Sequence, residues 1–171
     1  MTITMYQASV PVLARAMRNL AHVLDVGATH MRAEGQDVDA MLGLRLVEDM
    51  LPLSRQVQIA TDMAKNGAAR LAGEVPEAIA DDETTYDQLQ ARIARVVAIC
   101  DGFTAAQIDG SESRVIVLPR TAAGELTFDG TTYLTAFVIP NLYFHITTTY
   151  ALLRQAGVPL GKLDFAGMPK R

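Results

Sequence analysis

Few residues in this 171-residue chain can do acid–base or metal chemistry: three histidines, one cysteine, and carboxylates that fall mostly in loops. His145 stands out. It sits in the apolar, aromatic run Asn141-Leu142-Tyr143-Phe144-His145, and Asn141, four residues earlier, shares its helix face. Leu134, Phe137, Asn141, His145, Thr148 and Leu152 recur at helical spacing, so the amide and the imidazole are expected on the buried seam. Burying two such groups without partners costs roughly 1–3 kcal/mol each, so partners or a ligand are required. The best partner in the preceding sequence is Gln56, beside the apolar residues Val57 and Ala60. Two readings stay open: a polar network that fixes helix register, or a pocket for a small molecule or a metal. Tyr143 and Tyr150 can add hydroxyl donors at its rim, and Asp49 can supply a carboxylate at the same end.

The other histidines fit blander roles. His22 falls one position off an apolar stripe and reads as a surface residue. His30 lies near a helix end, where an imidazole interacts favourably with the C-terminal dipole; a place in the pocket is the alternative. Cys100 is in phase with an apolar stripe and reads as a small buried hydrophobe. There is no glycine-rich phosphate loop, HExxH, GxSxG or CxxC motif.

The elements that must position these residues follow from apolar periodicity. Ser9, Leu13, Ala16, Leu20, Val23 and Gly27 mark a first helix over about Tyr6–Ala33, with Pro11 either setting its start at Ser9 or kinking it. A short helical stretch, Val38–Leu44, leads to a second helix over about Val47–Ala72. Its seam is Leu53, Val57, Ala60, Ala64, Gly67 and Leu71, with Arg55, Gln58, Asp62 and Lys65 on the other side. The small seam residues allow close helix approach. An acidic loop, Glu74–Glu83, precedes a third helix capped by Thr84 or Thr85, with Tyr86, Leu89, Ile93, Val96, Val97 and Cys100 as its stripe. The period then changes to two, and Val115–Leu118 and Glu125–Phe128 read as a β-hairpin that must lie against the helices. Residues 131–156 read as the last helix, kinked at Pro140 and stopped by Gly157 and Pro159. The tail from Gly161 to Arg171 is expected to be extended and pinned by Phe165.

Four helices with antiparallel-compatible connections and one hairpin make an all-α four-helix bundle in a single domain over residues 1–171. Half the residues are apolar and a fifth charged, and the net charge is −4, with a pI of about 5.3. A phosphate-binding surface would show as a basic excess, so nucleic acid is not an expected partner. The most apolar window, Tyr133–Leu153, is interrupted by Pro140, Asn141 and His145 and does not read as a membrane span. With no signal-peptide pattern and a lone cysteine, a soluble cytoplasmic protein is expected.

The segment Leu152-Leu153-Arg154-Gln155-Ala156-Gly157-Val158-Pro159 resembles the closing segment of the DinB/YfiT-like superfamily of bacterial four-helix bundles. More closely, Asp49-Met50-Leu51-Pro52-Leu53, Arg55-Gln56-Val57-Gln58, Asn141-Leu142-Tyr143-Phe144-His145 and Gly161-Lys162-Leu163-Asp164-Phe165 resemble a bacterial subfamily known only as a domain of unknown function. The likeness spans nearly the whole chain. It implies a DinB/YfiT-like bundle with the β-hairpin inserted before the last helix. Many superfamily members hold a divalent metal with three histidines, one on helix two and an HxxxH pair on the last helix. By this resemblance His145 stands at the second position of the pair, Asn141 at the first, and helix two has no histidine.

Three expectations follow. The leading one is a small molecule bound between helices by Gln56, Asn141 and His145 without a tightly held cofactor. The second is a metal-dependent, thiol-transferase-like enzyme with a substituted site in which His145 ligates a divalent metal. The third is a non-catalytic homodimer that uses Met5, Met17, Met31 and Met41 as an adaptable interface.

Overall fold

The computed structural model describes residues 2–121 and 124–169, with the backbone alone at 119–121. A capped first turn, α1 (Met5–Ala8), leads into α2 (Val10–Ala33). The break falls at Ser9, whose buried hydroxyl donates to the Met5 carbonyl (2.6 Å) and makes no cap bond to α2. A 3₁₀ turn (Val38–Gly43) precedes α3 (Leu53–Ala72), which starts after Pro52 rather than at Val47. Pro52 lacks an N–H and cannot continue a helix laid down before it. Then come α4 (Tyr86–Asp101), capped by Thr85, and the short α5 (Ala105–Ile108). Strands β1 (Ile116–Thr121) and β2 (Gly124–Phe128) pair antiparallel, with Ile116 opposite Phe128 and Leu118 opposite Leu126. Ala122 and Ala123 of the expected hairpin turn lie outside the described residues. Ile116 and Leu118 are buried on the helical body, as a two-stranded ribbon needs.

The last helix is assembled from α6 (Gly130–Thr132), a π-type stretch (Tyr133–Val138) and α7 (Ile139–Gln155). Pro140 falls in the first turn of α7, and the widened turn upstream of it stands where a kink was expected. That turn holds more residues than an α-turn and rotates everything after it. The buried residues of these last two stretches are Tyr133, Leu134, Val138, Leu142, Ile146, Thr148, Thr149, Leu152 and Leu153. Leu134, Thr148 and Leu152 of the expected seam are among them, while Phe137, Asn141 and His145 give way to Val138, Leu142 and Ile146. Asn141 and His145 therefore lie at the edge of the core, half-buried, instead of at its centre.

Contacts fix the helix directions. Leu13 and Val138 both meet Gly67, and Gly27 meets Leu153, so α2 and α7 run together. A Cβ on Gly67 would stand 2.8 Å from Val138, so the small-residue seam does admit a close neighbour. Tyr86 reaches Asp25 (3.2 Å) and Gln90 the Ala21 carbonyl (2.9 Å), which sets α4 antiparallel to α2. Arg92 of α4 meets Thr61 of α3 (2.7 Å), so α3 and α4 are parallel. The chain must therefore travel back along the bundle between them. With α3 about 30 Å long and residues 73–85 able to reach at most about 45 Å, that crossover must be nearly extended, and it carries no regular structure.

An extended strap makes few bonds to itself, and Arg92 holds it. The Arg92 side chain is 1% exposed and pairs with Asp62 of α3 (3.1 Å) and with Asp81 (2.9 Å) and Glu83 (3.0 Å) of the strap. It also donates to the Ala80 carbonyl (2.8 Å). Gln58 donates to Glu83 (2.7 Å), Arg55 pairs with Asp81 (2.6 Å), and Lys65 pairs with Asp62 (3.1 Å). Gln58 and Lys65, expected on the outer side of α3, are buried because the strap covers that side.

The tail departs from expectation as well. It folds into α8 (Lys162–Ala166), begun by a bond from the Gly161 N–H to Asp164 (2.9 Å). Phe165 does pin it, against Tyr150 (5.8 Å between rings) and Tyr143 (6.5 Å). His22, half exposed, pairs with the buried Asp164 at 3.2 Å. Lys170 and Arg171 lie outside the described residues. Among those described, no helix is long and apolar enough to cross a membrane.

Arg92→Ala removes the one cation shared by three carboxylates, two of them about a third exposed and each left with a single remaining side-chain partner. Urea unfolding is expected to show a loss of about 3 kcal/mol, with new proteolytic cleavage confined to residues 74–84. Arg95→Ala, which breaks only the exposed pair with Glu77, is expected to stay within about 0.5 kcal/mol of the parent.

Candidate functional site

Two elements bring the sequence candidates together. Pro52 starts α3 so that Gln56 lies in its second turn, and α7 runs antiparallel to α3 and carries His145 to the same level. Gln56 is buried, and its Nε2 donates to the Leu51 carbonyl at 3.0 Å. That bond turns Oε1 toward His145, whose Nδ1 lies 2.7 Å away. An amide oxygen only accepts, so Nδ1 carries the proton and donates. The other ring nitrogen, Nε2, is left with its lone pair. Burial holds His145 below the ordinary imidazole range, so the ring is neutral at pH 7.

Asn141 stands one turn before His145 but engages its own helix. Its Nδ2 donates to the Phe137 carbonyl, a member of the π-type turn, at 2.6 Å. Thr149 and Thr148 likewise donate to the carbonyls of His145 (2.9 Å) and Phe144 (2.8 Å). Tyr143 and Tyr150 both turn to Phe165 and the tail, away from Gln56. Asp49 is exposed on the loop before α3 and bonds to none of the described residues. His30 lies beside Gly157, twelve residues beyond His145 and roughly 15 Å or more further along the last helix. The structure thus gathers Gln56 and His145, sets Asn141 beside them, puts Tyr143 on the wall of a groove along the outer face of α7, and places Tyr150, Asp49 and His30 elsewhere.

Phe144 and Leu46 were not among the sequence candidates. The Phe144 ring stands edge-on to the imidazole, 5.1 Å between centroids, and is 58% exposed. Phe144, Thr148, Ala151 and Leu46 line an apolar groove on the outer face of α7. Phe144 and Thr148 flank His145 on the helix, so the groove borders the Gln56–His145 pair. The available signal was an aromatic directly before the histidine, which the expected seam phase had assigned to no role.

The donor set does not suit a three-histidine metal centre. One imidazole nitrogen is free, and the amides of Gln56 and Asn141 are weak neutral ligands already engaged in hydrogen bonds. Among the described residues no group of three or more His, Cys, Asp or Glu converges as a metal site. Gln56 holds His145 by Nδ1, and no second imidazole or carboxylate joins His145 among the described residues.

Fold and site define a DinB-like four-helix bundle with a hydrogen-bonded amide–imidazole pair at its helix-two and last-helix positions. The chain belongs to the family described as domain of unknown function (DUF1993), whose model matches residues 5–166. It is similar to the crystal structure of a DinB family member protein from Shewanella denitrificans, at 38% identity and a TM-score of 0.88. That match covers 97% of this chain and 94% of the other. No curated protein matches.

Because the folded state disfavours the imidazolium, the unfolded chain takes up that proton first as pH falls. The stability carried by neutral His145 is complete above about pH 6.5 and declines below it. Melting curves from pH 7 to pH 5 are expected to fall less steeply in His145→Gln. Long-range ¹H–¹⁵N spectra are expected to show the Nδ1-protonated tautomer at pH 7.

Proposed function

We propose that the protein binds a small, mainly apolar organic molecule in the groove beside His145, with the free imidazole nitrogen accepting one hydrogen bond from it. The observation that carries this reading is the fixed tautomer. Gln56 occupies Nδ1 and is itself held by Leu51, so a neutral acceptor is preorganised on a residue whose helix neighbours Phe144 and Thr148 line an apolar groove. A half-buried acceptor without a partner favours a ligand that brings a donor. The metal-dependent thiol-transfer reading lacks ligands for its metal and is not carried forward. The protein is read as cytoplasmic and without a nucleic-acid partner, consistent with its net charge of −4.

A second reading, the homodimer, draws on a different observation. Met5, Met17, Met31 and Met41 are all buried and cannot form an interface, which corrects that expectation. Leu46 and Phe144, by contrast, are exposed apolar side chains that line the groove, and Val47 and Leu51 are exposed apolar residues on the loop that carries Leu46. Pairing through them would cover the groove, so the two readings compete for one surface.

Phenol, with one ring and one hydroxyl donor, is the probe that tests the first reading. Titration followed by NMR is expected to give saturable shifts at Gln56 and residues 144–148. His145→Ala is expected to weaken binding about tenfold while lowering the melting temperature by only a few degrees. Shifts that never saturate, or that are unchanged in His145→Ala, would exclude it. Light scattering that shows a dimer dispersed by Phe144→Glu would favour the second reading.

A further inference from the structure

At the opposite end of the bundle a cleft of about 410 Å³ opens between the C-terminus of α3 and strand β1. Two arginines line it, Arg70 from the last turn of α3 and Arg114 from the approach to β1. Arg70 donates through one nitrogen to the hydroxyl of the buried Tyr133 (3.0 Å), which orients its guanidinium. Arg114 lies over Gly73, the left-handed residue that ends α3. A Cβ at Gly73 would stand 1.7 Å from Arg114 Nη1, so the glycine is the seat on which that guanidinium rests.

Among the described residues no carboxylate forms an ion pair with either arginine, and the Arg114 side chain has no hydrogen-bond partner. The one acid in the cleft, Glu74, accepts from Gln107 instead (3.3 Å). The chain is acidic overall and pairs its buried or strap-facing arginines, Arg92 and Arg55, with carboxylates. Arg15, Arg32, Arg45 and Arg154 likewise form no ion pair among the described residues, but Arg70 and Arg114 are set apart by lining one cleft together. The α3 C-terminal dipole gives Arg114 some compensation, but it supplies no oxygen pair for a planar fork.

The remaining walls are apolar. Val75, Val115 and Val117 are 93%, 72% and 46% exposed, and with Pro76 they line the same cleft. Guanidinium groups recognise carboxylate and phosphate through paired N–H donors, and exposed valines beside them favour an apolar tail. We infer that this cleft binds an amphiphilic oxyanion, with its carboxylate or phosphate on Arg70 and Arg114 and its hydrocarbon part on Val75, Pro76, Val115 and Val117. The site is separate from the Gln56–His145 pair and stands whether or not that pair binds a ligand.

The test is NMR titration of the ¹⁵N-labelled full chain with hexanoate, hexyl phosphate, hexanol and inorganic phosphate. Saturable shifts at residues 70–76 and 114–117 are expected for hexanoate or hexyl phosphate, and the tighter of the two identifies the headgroup. Arg114→Gln is expected to weaken that binding about tenfold, and raising NaCl from about 20 to about 300 mM is expected to weaken it several-fold. Val117→Glu, at an exposed strand position, is expected to abolish binding by placing a carboxylate at the rim while the rest of the spectrum is retained. Absence of saturation by both amphiphiles at about 10 mM, a threshold for even weak binding, would overturn the inference. So would equal binding of hexanol, equal binding of inorganic phosphate and hexyl phosphate, or binding unchanged in both variants.

Discussion

The constraint on which this bundle depends is the parallel alignment of α3 and α4, held by the Arg92 guanidinium. Parallel neighbours oblige the chain to return the length of the bundle in an extended strap that makes almost no bonds of its own. Apolar burial does little to hold it, since Val75 is almost fully exposed. The strap is fastened instead by one buried cation that reaches Asp62 and Thr61 on α3 and Ala80, Asp81 and Glu83 on the strap. A lysine cannot reach this many acceptors in different directions, because only guanidinium carries a fixed fork of donors. Through Asp62 and Thr61 the same cation holds α3 against α4, and α3 is the helix that carries Gln56.

A second constraint acts on the other side of the site. The π-type turn at Tyr133–Val138 absorbs Pro140 and rotates α7, so that Leu142, Ile146, Thr149 and Leu153 point inward. His145 is thereby moved from the core to its margin. At the centre of the core, both ring nitrogens would have needed internal partners. At the margin one nitrogen is satisfied by Gln56 and the other has no hydrogen-bond partner among the described residues. The helix that expels the histidine from the core is thus the one that gives it something to do.

Much of this was legible in the sequence, and the unread parts have physical reasons. The seams of α2 and α3 follow a regular 3.6 period, and every residue assigned to them is buried. The change to a two-residue period marked the hairpin, and the threonine pair Thr84-Thr85 marked the start of α4, which Thr85 caps. The pairing of Gln56 with His145 was also foreseen, because two polar residues on facing apolar stripes must answer one another. The phase of α7 was legible only in part: Leu134, Thr148 and Leu152 are buried as the spacing implies, but around the π-type turn Val138, Leu142 and Ile146 replace Phe137, Asn141 and His145. Arg92 escaped notice because its partners lie on three separate segments and only the fold brings them together. The methionines assigned to an interface were buried because Met fills cores as readily as contacts. The tail helix was missed because its start depends on Asp164 accepting from the Gly161 N–H, a bond invisible to periodicity.

A neutral imidazole held through Nδ1 by an amide keeps Nε2 for either a hydrogen-bond donor or a metal. What the described residues lack is a set of further ligands around it. The most direct test is calorimetric titration of zinc at pH 7.5 into untagged protein, with His145→Ala alongside. The account predicts only weak uptake, with the same isotherm for both proteins. Near-stoichiometric zinc at micromolar concentration, lost in His145→Ala, would contradict it and restore His145 as a metal ligand.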